Sequence, residues 1–161
     1  MRMVKQSRGS RECGACVVAM LTDKTLGEIL RDVPNPEKPD GFWLSYIYDR
    51  GFKLEDVRDD PAFDRNFAID SIVFEGYFRL ARGNRYYCSI TIPEGTHAVA
   101  IDEQGFVLDP STDAPMTGCC TLEQYVRANH KAVGSIFISC CYRVIGGGMI
   151  FNNGEGTLQT S

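Results

Sequence analysis

Seven cysteines and only two histidines occur in the 161 residues, so chemistry that pairs a thiol with an imidazole has few possible partners. Cys13 opens the compact apolar run CGACVVAML and follows the polar stretch Gln6 to Glu12, rich in Ser, Arg and Gly. This reads as a loop leading into a buried helix. A cysteine in the first turn of a helix lies at the positive end of the helix dipole and near unpaired backbone amides, and both favour thiolate over thiol. Gly14 beside it removes a side chain that would crowd an approaching substrate. Val17, Val18, Met20 and Leu21 would fix the helix in the core and so hold the sulfur in place. Taken alone, a cysteine among small and apolar residues is more often packed core than nucleophile.

Two other chemistries use the same residues. Cys13-Gly-Ala-Cys16 has the spacing of a dithiol redox motif, but such a motif normally follows an apolar strand, and here SRGSRE precedes it. Zinc would need further ligands at similar spacing. The other cysteines are single or adjacent pairs, Cys119-Cys120 and Cys140-Cys141, and His130 falls at a helix end, where a positive charge suits the dipole. No metal and no cofactor are therefore expected.

The base candidate is His97, which begins the strand HAVAI; this turns through Asp102 to Gly105 into a second strand, FVLD. If Glu103 to Gly105 form a three-residue hairpin loop with Gly105 left-handed, Asp102 pairs with Phe106 and Val99 with Asp109. His97 and Asp109 then project from one face as diagonal neighbours, with β-carbons on the order of 7 Å apart. A two-residue loop would put them on opposite faces. An orienting carboxylate matters because imidazole has two tautomers and only one presents a lone pair to the thiol. Each residue also has a plainer reading, His97 as a surface strand residue and Asp109 as a turn residue before Pro110.

Other elements must position these groups. Thr25 with Glu28 forms a capping box that opens a helix to about Asp32, ended by Pro34, Pro36 and Pro39. Asp40 can cap a third helix carrying Phe42, Trp43, Tyr46 and Ile47, stopping at Gly51. Trp43, Tyr46 and Tyr48 could line a cleft, but an aromatic stripe at helical spacing is more often core. From Phe67 onward the aromatic and branched runs favour strands: Tyr86 to Ile92, Thr96 to Ile101, Phe106 to Leu108 and Ser135 to Ile145, with Ile72 to Leu80 open between helix and strand. Thr121 with Gln124 caps another helix through about His130. No repeat or linker divides the chain, so residues 1–153 read as one domain and 154–161 as a flexible tail. The layout is α+β, with an N-terminal helical half packed on a C-terminal antiparallel sheet.

Against 21 acidic residues stand 17 basic ones, a net charge of −4, the wrong sign for a protein that binds by neutralising phosphates. Nucleic acid is therefore not an expected partner. Met1 to Gln6 resembles neither a signal peptide nor a membrane span, so no membrane association and a cytoplasmic location are expected. An odd number of cysteines with two adjacent pairs does not suggest a disulfide framework.

Gln6, CGACVVAM from Cys13 to Met20, GTHAVAI from Gly95 to Ile101 and VLDP from Val107 to Pro110 together resemble the papain-like cysteine peptidases. The nearest likeness is to the branch that processes bacteriocin leader peptides after a double glycine. The resemblance spans about residues 6 to 110 in short local matches. It implies a papain-like fold and a protein or peptide substrate. In that reading Cys13 attacks the scissile carbonyl, His97 moves the proton, Asp109 holds His97, and Gln6 with the Cys13 backbone amide stabilises the oxyanion. Gln6 lies one residue further from the cysteine than the family pattern, so the SRGSRE loop must bulge to deliver it. The leader-processing relatives are commonly fused to membrane exporters and this chain carries no such segment, so a double-glycine substrate is not part of the expectation. The same triad also fits deamidation or acyl transfer, and the scaffold fits a non-catalytic binding or inhibitory protein.

Overall fold

An α-helix that is apolar all round has to be buried all round, and α1, Cys13–Thr22, is: every residue from Gly14 to Leu21 is buried. The computed structural model describes residues 1–57, 83–92, 95–111, 118–130 and 137–146. After α1 the chain turns at Asp23, in the left-handed region with φ 56°, into α2, Leu26–Asp32. The capping box that opens α2 is complete: Glu28 N donates to Thr25 Oγ1 at 3.1 Å, and Thr25 N donates to Glu28 Oε1 at 2.8 Å. Helix α3, Asp40–Asp49, stops before Gly51, whose φ of 92° ends the helical path.

Asp40 does not cap α3. Pro39 occupies the capping position, and Asp40 is the first helical residue, with no side-chain capping bond at that end. Its Oδ1 instead accepts the hydroxyl of Tyr87 at 2.6 Å. A fully buried phenol must find an acceptor for its O–H, and an acidic group in a first turn is favoured by the helix dipole without acting as the cap.

The strands are β1, Phe52–Asp56; β2, Arg85–Ile92; β3, Gly95–Ile101; β4, Val107–Leu108; and β5, Phe137–Gly146, with α4, Leu122–His130, between β4 and β5. They form one five-stranded sheet in the order β1-β5-β2-β3-β4, and every pairing is antiparallel. The fold is thus α+β. Strand β1 is not among the expected strands. Its sequence FKLED is mostly charged, and among the described residues it pairs on one side only, with β5 from Phe52↔Gly146 to Asp56↔Tyr142. Edge strands tolerate charge because one flank faces water, and here Glu55 Oε1 accepts from Arg143 on the paired strand at 2.8 Å. The segment Ile72 to Leu80 and the tail 154–161 lie outside the described residues.

Side chains alternate across the sheet with the strand period of two. Tyr87, Ala98, Ala100 and Leu108 pack with α1, α2 and α3, whereas Tyr86, Cys88, Val99, Ile101 and Val107 pack with Leu122, Tyr125 and Val126 of α4. Helices therefore cover both faces. Among the described residues no helix is long and apolar enough to cross a membrane.

Trp43 and Tyr46 belong to the core, while Tyr48 is 66% exposed. Trp43 also explains Gly14 differently from substrate access: a Cβ at residue 14 would overlap the Trp43 indole, at Nε1 and Cδ1. The bare glycine lets α3 close onto the start of α1. Replacing Gly14 by Ala should destabilise the fold by about 1–3 kcal/mol through overpacking. Denaturant unfolding followed by the fluorescence of the single tryptophan checks this, and an unchanged midpoint would contradict the close packing.

Candidate active site

The β3–β4 hairpin turns on a three-residue loop. Asp102 N donates to Phe106 O at 3.0 Å, Gly105 N donates to Asp102 O at 2.9 Å, and Gly105 has φ 84°. The Asp102 carboxylate steadies the loop by accepting from Gln104 N and Phe106 N, both at 2.9 Å. The register pairs Ala100 with Leu108 and Ile101 with Val107. Carried outward, the same register sets Val99 opposite Asp109, so His97 and Asp109 share a face as diagonal neighbours. That face is the one packed by α4.

The contact follows: His97 Nε2 donates to Asp109 Oδ1 at 2.6 Å. The second ring nitrogen is not engaged by the carboxylate, and the Cys13 thiol lies close enough to the ring for each group to shift the other's titration. Cys13 arrives from the other layer, at the first residue of α1, and meets the ring just before β3 becomes fully buried.

The electrostatics favour a charged thiol–imidazole pair. Burial pushes the Cys13 thiol up, but the His97 ring and the backbone of Ala98 and Gly14 outweigh it, leaving the pKa below its ordinary value. No side chain caps α1. Glu12, at the capping position, accepts instead from Ser7 N at 3.1 Å and Ser10 Oγ at 3.0 Å. First-turn amides thus stay available to the sulfur. Burial works against a charge on His97 too, yet the bonded Asp109 and the nearby Cys13 raise its pKa from 6.5 to about 10. The Asp109 pKa falls below its ordinary value against the effect of burial, because His97, Tyr125 and the Ser111 amide all stabilise the carboxylate.

Cys16, the other cysteine of the CxxC spacing, faces the interior with no exposed surface, and its pKa is pushed up to about 12 by burial and by the charges of Glu12 and Cys13. The two thiols of α1 are thus opposite in character. Among the described residues no group of three or more His, Cys, Asp or Glu side chains is placed to hold a metal ion.

Gln6 reaches the edge of this site through its backbone. Its N–H donates to Pro110 O at 2.9 Å, one residue past Asp109, and the neighbouring Lys5 Nζ donates to Asp109 O at 3.0 Å. A tight turn takes up the additional residue between Gln6 and Cys13: Ser10 N donates to Ser7 O at 3.0 Å, with Gly9 at φ 73°. The Gln6 amide is turned onto that loop, its Nε2 donating to Ser10 O at 2.9 Å, while Oε1 is buried without a partner.

Sequence reasoning missed two residues around Asp109. Ser111 N donates to Asp109 Oδ1 at 2.7 Å, an Asx-type turn that Asp-Pro-Ser could have suggested. Tyr125 of α4 donates its hydroxyl to Asp109 Oδ2. Its place beside Leu122 and Val126 on an inward helix face is readable from spacing, but the partner of its hydroxyl is not. A cavity of about 740 Å³ lies elsewhere, among Leu21, Tyr46, Arg50, Phe52 and Arg85, and includes none of the three triad candidates.

Comparison with models of known protein families and with curated proteins finds no match for the chain.

At neutral pH iodoacetamide should label Cys13 several-fold faster than Cys119, although Cys119 is the more exposed thiol. Peptide mass mapping reads the order. His97→Ala should remove the lead of Cys13, and labelling of Cys119 first in the unaltered protein would contradict the activation.

Proposed function

We propose that the chain is a papain-like cysteine peptidase, cleaving a peptide or isopeptide bond through an acyl-thioester on Cys13. The observation that carries this reading is the position of His97, bonded through Nε2 to Asp109 at 2.6 Å and lying beside the Cys13 thiol, whose pKa it lowers. Nucleophile, base and orienting group in this order are the requirement for acyl transfer. The ordered matches at Gln6, Cys13, His97 and Asp109 support it as well.

In the proposed reaction the Cys13 sulfur attacks the scissile carbonyl carbon, and the carbonyl electron pair moves onto oxygen. The uncapped amides at the start of α1 face the developing charge. The family resemblance gives Gln6 the same role, which its amide, donating to Ser10 O, would fill only by turning away from that loop. The imidazolium of His97 then gives its proton to the departing amine as the carbon–nitrogen bond breaks. Water next attacks the thioester, losing a proton to His97, and the Cys13 thiolate leaves. Asp109 holds the ring in one orientation and balances its charge throughout.

The substrate is a protein or peptide. The described cysteines are all free thiols, including Cys88 and Cys141, which lie directly opposite each other on β2 and β5. Unbridged cysteines in such a position suit a reducing compartment and support a cytoplasmic setting.

The test is peptide mass profiling of a proteome-derived peptide mixture with the unaltered protein, Cys13→Ala and Asp109→Asn. Cleavage is expected from the unaltered protein, none from Cys13→Ala, and a loss on the order of 10²- to 10⁴-fold in Asp109→Asn. Cleavage that survives in Cys13→Ala would overturn the reading. A gain of about 1 Da on a glutamine with no cleavage would replace peptidase by deamidase.

A further inference from the structure

We propose that Tyr125 is a positioning residue for the candidate triad, holding the Asp109 carboxylate ionised and turned toward His97 by a hydrogen bond from the opposite side. The inference rests on the proposed role of Cys13, His97 and Asp109. Asp109 is 3% exposed, and a carboxylate so placed is ionised only if donors replace the water it has lost. Three do. Oδ1 receives His97 Nε2 at 2.6 Å and Ser111 N at 2.7 Å, and Oδ2 receives the Tyr125 hydroxyl.

Tyr125 differs from the other two donors in where it comes from. Ser111 is local to Asp109 and moves with it, whereas His97 is the group to be positioned. Of these three donors it is Tyr125 that ties the carboxylate to a separate rigid element. Rotation about the Cβ–Cγ bond of an aspartate is broad and roughly two-fold, and an anchor on Oδ2 removes that freedom. The anchor is itself secured to the strand that leads into Asp109: Val107 N donates to Cys120 O at 2.9 Å, and Gly118 N donates to Val107 O at 2.6 Å. Thr121 and Gln124 then start α4 with reciprocal bonds of 3.3 and 3.0 Å, and Leu122 and Val126 seat it on the sheet. Tyr125 is 1% exposed, and burial together with Asp109 pushes its pKa far above the ordinary value, so it remains a donor throughout the working pH range. It gives up no proton. A phenylalanine would pack in the same place and remove this donor from Oδ2.

The experiment is the pH dependence of Cys13 alkylation by iodoacetamide in the full chain, read by peptide mass mapping, for the unaltered protein, Tyr125→Phe, Asp109→Asn, the double variant and His97→Ala. A role through Asp109 predicts that Tyr125→Phe moves the midpoint to higher pH by on the order of half a unit or more, in the direction of His97→Ala. It also predicts no additional shift when Tyr125→Phe is added to Asp109→Asn. Thermal unfolding of each variant identifies those that are folded, and the double-variant comparison removes any general packing effect. A Tyr125→Phe profile that overlays the unaltered one, or an equal shift on the Asp109→Asn background, would overturn the role while leaving the triad reading intact. An unaltered Cys13 that titrates as an ordinary thiol and is indifferent to His97→Ala would overturn the triad reading, and the role of Tyr125 with it.

Discussion

A carboxylate buried at Asp109 is the constraint around which the rest of the molecule is arranged. Left without donors, such a group would take up a proton and lose its charge. It is supplied instead by a strand, a turn and a helix: His97 on β3, the Ser111 amide beyond β4, and Tyr125 on α4. Its own backbone carbonyl, with that of Pro110, receives Lys5 and Gln6 and so pins the N-terminal segment that leads into α1. One charged group thus couples the two helical layers to the same sheet edge. Its position also sets the ring of His97, and through that ring the thiol of Cys13.

The coupling depends on a single turn. The strand period of two means that a slip of one residue in the β3–β4 pairing would send Asp109 to the face opposite His97. Gly105 at φ 84° and the Asp102 carboxylate, which takes both Gln104 N and Phe106 N, hold the longer of the two plausible loops. Register, and not the mere presence of a histidine and an aspartate, brings the pair together.

What could be read in advance follows the range of the interaction. The capping boxes at Thr25 and Thr121, the end of α3 at Gly51 and the hairpin from His97 to Asp109 are all settled within a few residues, and the structure has them in the expected places. The turn between Gln6 and Cys13 is also local, with Gly9 in the left-handed region, but the Gln6 amide it carries is turned onto Ser10 O. Features set by tertiary contact were not readable. Strand β1 is defined by pairing with β5 and not by any apolar pattern of its own. Asp40 reads as a cap and serves as the acceptor for Tyr87. Gly14 reads as clearance for a substrate and gives clearance to Trp43. Tyr125 reads only as one more residue on a buried helix face, since its partner lies just past a strand that local pattern cannot associate with α4.

The account stands on the charged pair formed by Cys13 and His97, and with only two histidines in the chain the imidazole can be observed directly. Titration of the ring nitrogens by ¹⁵N NMR, in the unaltered protein and in Cys13→Ala, measures it. The account predicts that His97 stays protonated through neutral pH and titrates near 10, far above the ordinary 6.5, and that loss of the thiol brings its pKa down. A His97 that deprotonates near 6.5 and is unmoved by Cys13→Ala would contradict it.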